Sequence, residues 1–132
     1  MNLVADFHIH SHYSRATSKN CTFPELYRWG KLKGINIIGT GDFTHPEWFA
    51  EMQNSLEPAE GGLFRLKDNI ADDIDQKLPE SVRDNVIRFV PTVEIATIYS
   101  KGGRVPKCSY RYKCGWLSGN SPAVIACWRA SH

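Results

Sequence analysis

The chain opens with a short apolar run, Leu3-Val4-Ala5 with Phe7, that passes directly into His8-Ile9-His10-Ser11-His12. This pattern predicts a β-strand that ends in polar residues. Thr22-Phe23-Pro24-Glu25 has the spacing of a capping box, with proline in the first turn where it is tolerated. Leu26, Trp29 and Leu32 follow at helical spacing up to Gly34, the expected C-terminal stop, and Leu26 and Trp29 are expected in the core. Residues 35–40 read as a buried strand. From Pro46 to about Leu56 a second helix is expected, with Trp48, Met52 and Leu56 on one stripe and Phe49 beside it. Residues 63–66 suit a short strand. Residues 68–78 suit a helix with Ile70, Ile74 and Leu78 inward and its acids in solvent. Residues 86–91 and 92–99 read as two further strand segments. Strand, helix, strand in that order predicts a parallel pair joined by a right-handed crossover. Chemistry in such folds gathers at the C-terminal ends of the strands.

The polar residues at those ends form a pattern. His8 and His10 stand two apart on the first strand, so they project from one face and could grip a zinc or manganese ion together. Asp6 shares that face and could orient a ligating histidine. His12 continues the alternation into a loop and is a weaker candidate. Asp42 and His45, in the turn after the second strand, fall on the same rim and could face one cavity; a turn or helix-cap role is the alternative for Asp42. Glu94 interrupts an apolar run, and a carboxylate there is costly unless a cation compensates it. A glutamate so placed could bridge two metals, an arrangement used to hydrolyse phosphoesters. Arg15 and Lys19 make the loop at 13–21 basic, which suits either solvent or a phosphate.

Composition changes this picture at one end only. The chain has 132 residues, 42% hydrophobic and 23% charged, as expected of one globular domain or less. No run is apolar enough to span a bilayer, and no leader opens the chain, so a cytoplasmic protein with no membrane partner is expected. The net charge of +2 is unevenly spread. Residues 1–94 hold all fourteen acids and ten of the sixteen bases, for −4; residues 95–132 hold six bases and no acid, for +6.

Taken in order, His8-x-His10-Ser11, Gly39-Thr-Gly-Asp42 and Val93-Glu94-Ile95 resemble the polymerase-and-histidinol-phosphatase (PHP) superfamily. The resemblance is closest to endonuclease Q and its bacterial relatives, through Ser14-Arg-Ala-Thr-Ser-Lys19, residues 39–46, residues 62–67 and residues 92–103. It covers roughly residues 1–105. It implies an α/β fold, the N-terminal part of a distorted (β/α)7 barrel, with a centre of two or three metals at its rim. It also implies His8, His10 and Glu94 as metal ligands, and zinc, manganese or magnesium as the cofactor. The superfamily has adjacent Asp-His in its second motif, whereas this chain has Asp42-Phe-Thr-His45, leaving open which of the two ligates. Relatives of endonuclease Q nick DNA beside deaminated bases or abasic sites, so DNA is the implied partner and a metal-activated water the implied nucleophile.

The resemblance ends near residue 105. Residues 106–132 lack the later Asp and His motifs that complete the metal site in the family. They are rich in Cys, Trp, Ser and Arg and free of acids, which suits a frameshift near codon 106 or a disordered basic tail. A zinc site from Cys108, Cys114, Cys127 and His132 is the rival reading, but it lacks a close cysteine pair. A barrel of this kind needs about 200–250 residues to close, so an incomplete barrel is expected. Three functions compete: a DNA-repair endonuclease of endonuclease Q type, a phosphatase of a small phosphate ester, and a truncated, non-catalytic protein.

Overall fold

The computed structural model describes residues 2–15, 17–98, 107–116 and 122–129, with side chains up to Glu94. The first strand, β1, spans Ala5–Asp6. It leads through the histidine segment and a polar loop to helix α1, Phe23–Lys33. Strand β2 is Ile37–Gly39 and helix α2 is Pro46–Ser55. A hairpin follows, β3 (Leu56–Pro58) and β4 (Phe64–Leu66), then helices α3 (Asp68–Asp75) and α4 (Glu80–Arg83). Strands β5 (Arg88–Val90) and β6 (Thr92–Ile98) come next.

These elements build a five-stranded sheet in the order β1-β2-β5-β4-β3. β1, β2 and β5 run parallel, with Ala5 opposite Ile37 and Ile38 opposite Phe89. β4 and β3 run antiparallel at the far side. The expected α/β class and parallel first pair are both present, and among the described residues the sheet is open. β6 pairs instead with β7 (Lys107–Trp116), which pairs with β8 (Pro122–Arg129), both antiparallel. The β-branched and aromatic residues of these stretches, among them Tyr110, Tyr112, Val124 and Ile125, suit an extended backbone.

The core lies between the sheet and α1 and α2. Phe23 stacks on Trp48 with ring centroids 4.1 Å apart, and Phe89 meets Phe23 edge-on at 5.8 Å. Met52, Leu56, Leu66, Ile38 and Ile87 pack around them. The expected stripe on α2 is thus the buried one. That on α1 is not. Phe23, Tyr27, Gly30 and Lys31 face inward, and Trp29 is 48% exposed, beneath the cations of Arg28 and Lys33. Aromatic bulk alone did not reveal which side of α1 meets the sheet. Its ends match the sequence reading, with Gly34 left-handed at φ 68°, but the Thr22 hydroxyl makes no capping bond. No helix among the described residues is long and apolar enough to cross a membrane.

Candidate metal centre

His8 and His10 follow β1, which ends at Asp6, instead of standing on the strand as expected, and their ring centroids are 5.6 Å apart. Glu94 reaches them from β6. Its Oε2 lies 3.5 Å from His10 Nε2 and 3.9 Å from His8 Nε2, and one ligand atom from each residue falls within 4.8 Å of the others. Ligand atoms at about 2.1 Å from a tetrahedral ion stand about 3.4 Å apart. Two imidazoles and one carboxylate at these separations fit a zinc- or manganese-sized cation with modest closure, and they leave positions for water or substrate.

The loop after β2 determines how His10 is held. Gly41 has φ 61°, and a Cβ on it would lie 2.0 Å from the Ile9 carbonyl oxygen, so only glycine fits. Asp42 follows at φ 43°, a conformation that aspartate tolerates better than most residues. This left-handed pair aims the Asp42 carboxylate back at the histidine segment. Its Oδ2 accepts from the backbone N–H and the hydroxyl of buried Ser11, both at 2.8 Å. Its Oδ1 lies 3.4 Å from His10 Nδ1. Asp42 therefore orients His10 from behind while Nε2 faces Glu94, the arrangement common around ligating histidines. Asp6, expected in that role, instead accepts from the His8 backbone N–H at 2.9 Å.

A buried polar network fixes Glu94 relative to this loop. Thr92 Oγ1 accepts from the Gly41 N–H at 2.8 Å, and the Thr92 N–H donates to Thr40 Oγ1 at 3.2 Å. Trp48 Nε1 donates to the Thr40 and Gly41 carbonyls at 3.1 and 3.0 Å, tying α2 to the same turn.

The structure does not bring His12 and His45 into this group. His12 Nε2 lies 2.9 and 3.1 Å from the two oxygens of Glu51 on α2. His45 begins α2 and stacks on Tyr13, with its Nδ1 3.2 Å from Glu47 Oε2. The glutamate contacts of these two rings, and Asp42 as the group behind His10, were not legible from spacing. The one signal was the Gly-Asp pair directly after a strand, a place for left-handed backbone. Arg15 and Lys19 are exposed on the loop that runs past Ser14, and neither enters an ion pair among the described residues. Cys108, Cys114, Cys127 and His132 lie outside the described side chains.

A cavity of about 420 Å³ opens beside Glu94, and Ser11, Asp42, Thr44, His45 and Pro46 also line it. The fold has solved counterparts. A crystal structure of endonuclease Q in complex with a 27-mer duplex substrate carrying an abasic lesion at the active site matches 68% of the chain, with 37% identity and a TM-score of 0.51. The chain is similar to endonuclease Q. The lesion-specific endonuclease Q of Pyrococcus furiosus matches 70% of the chain, with 36% identity and a TM-score of 0.53. Endonuclease Q belongs to the PHP superfamily, so the resemblance carried by the motifs agrees with the fold. The chain spans 18% of the length of each endonuclease Q structure. A segment of 48 residues is 52% identical to an uncharacterized protein of Methanocaldococcus jannaschii, across 36% of this chain and 6% of that one. No family model matches the chain.

Proposed function

We propose that this chain carries part of a metal-dependent phosphodiesterase site of endonuclease Q type, directed at DNA with deaminated or abasic nucleotides. The observation that supports this best is the convergence of His8 and His10, just after β1, with Glu94 of β6. His8, His10 and Glu94 would hold a zinc, manganese or magnesium ion. When bound, it would polarise a phosphodiester and lower the pKa of a water. Asp42 accepts from His10 Nδ1 and so keeps Nε2 turned inward. Glu94 offsets cation charge in a half-buried setting where a lone carboxylate is costly. Arg15 and Lys19, exposed and free of ion pairs among the described residues, suit the phosphates on either side of the lesion. Such a protein would work where DNA is, in keeping with the cytoplasmic location expected from the sequence.

A second reading has support of its own. The matched part is 18% of the endonuclease Q chains, and the later Asp and His motifs of the family have no counterpart in residues 106–132. On this reading the chain binds metal and does not turn over substrate. Incubation with duplex DNA bearing uracil, hypoxanthine or an abasic site, with Mn²⁺ or Zn²⁺ added, separates the two. Nicking beside the lesion supports the endonuclease. Hydrolysis of a simple phosphomonoester alone indicates a small-ester phosphatase. Cleavage of neither leaves the metal-binding fragment.

A further inference from the structure

The cavity has a second wall that the metal triad does not use. Tyr13 contacts two imidazoles, His12 at 4.1 Å between centroids and His45 at 4.5 Å with planes 20° apart. Two rings at such distances cannot share one face of a phenol, so Tyr13 lies between them. His12 in turn meets the buried Trp48 edge-on at 5.6 Å. The result is a ladder of four rings, Trp48, His12, Tyr13 and His45, running from the core to the cavity. Glu51 braces its middle, accepting from the Tyr13 hydroxyl at 2.7 Å while facing His12 Nε2.

The ladder ends at His45. One face of its ring is spent on Tyr13, its side chain is 39% exposed, and it lines the same cavity as Glu94. A flat ring supported from behind costs little entropy when a second flat ring is laid on it. Nucleobases stack on aromatic side chains in this way whatever their sequence.

We propose that His45 is a stacking face for a nucleobase of the strand whose phosphodiester sits at the His8–His10–Glu94 centre. His45 thus sets selectivity for base-bearing nucleic acid and is no metal ligand. This rests on the phosphodiester reading of the centre. The Asp42 and Glu94 carboxylates beside the cavity repel a phosphate chain unless a cation is present, so binding is metal-dependent.

The test compares two labelled hexanucleotide single strands, one of thymidylates and one without bases, by fluorescence anisotropy of the full chain with and without Mn²⁺. The wild-type chain binds the base-bearing strand about ten-fold tighter. His45→Ala removes that preference. His45→Phe, which keeps an aromatic face and has no nitrogen for a metal, retains it. A wild-type chain without preference, or a His45→Phe chain as impaired as His45→Ala, overturns the proposal. If instead base preference persists but neither strand responds to Mn²⁺, the stacking face stands and the phosphodiester reading of the centre fails.

Discussion

Asp42 shows how much one carboxylate can organise. It accepts both donors of Ser11 and stands behind His10, so removing its charge unfastens the segment that carries two of the three candidate ligands. Asp42→Asn puts an amide donor against at least one of those groups. Zinc affinity measured by chelator competition is expected to fall about 10–100-fold, with little change in secondary structure. Gly41→Ala is the harsher test. Its methyl meets the Ile9 carbonyl, and its φ of 61° is unfavourable for alanine, so a loss of stability well above 1 kcal/mol is expected in urea titration. The sequence exposed His8, His10 and Glu94 because a period of two and an isolated acid in an apolar strand are local signals. It did not expose the role of Asp42, which depends on a left-handed turn meeting a loop thirty-odd residues away. Nor did spacing reveal that the His45 ring stacks on Tyr13.

At the scale of elements, α1 is held to α3 by a buried polar cluster. Lys31, 3% exposed, donates to Asp75 at 2.8 Å, and the Tyr27 hydroxyl donates to the same oxygen at 3.1 Å. Burial pulls the Lys31 ammonium down, but hydrogen bonds to Asp75 and Tyr27 outweigh it and leave its pKa raised. Burial pushes the Tyr27 phenol up as well. Both groups hold their protons more tightly when folded. Their contribution is therefore complete below the ordinary values of 10.0 and 10.5 and is lost as pH rises through the folded ones. Thermal unfolding is expected at progressively lower temperature above about pH 10. Asp75→Ala leaves a buried ammonium without its counter-charge, held by the Arg83 carbonyl, and a loss of about 3 kcal/mol is expected by urea titration at pH 7. Helix ends were legible from Pro24, Gly34 and Pro46. The inward face of α1 was not, because a lysine in the core is readable only once its partner on α3 is known.

For the whole molecule, β1 is an edge of the sheet among the described residues, and Leu3 and Val4 beside it are exposed, as is Val86. An open parallel edge with apolar neighbours favours association, and the chain is expected to self-associate at micromolar concentration in light scattering. The charge step after residue 94 belongs to the same scale. A frameshift near codon 106 predicts that the coding DNA, read downstream in another frame, continues the endonuclease Q pattern with further Asp and His motifs. Family-unlike sequence in both alternative frames contradicts it.

The proposed centre requires His8 and His10, after β1, and Glu94 of β6 to share one cation. Isothermal titration of the purified chain with Zn²⁺ or Mn²⁺ tests this most directly, alongside a variant with His8, His10 and Glu94 all changed to alanine. The expected result is one saturable site in the wild type that is absent from the variant. A wild type that takes up no metal, or a variant that binds as well, contradicts it.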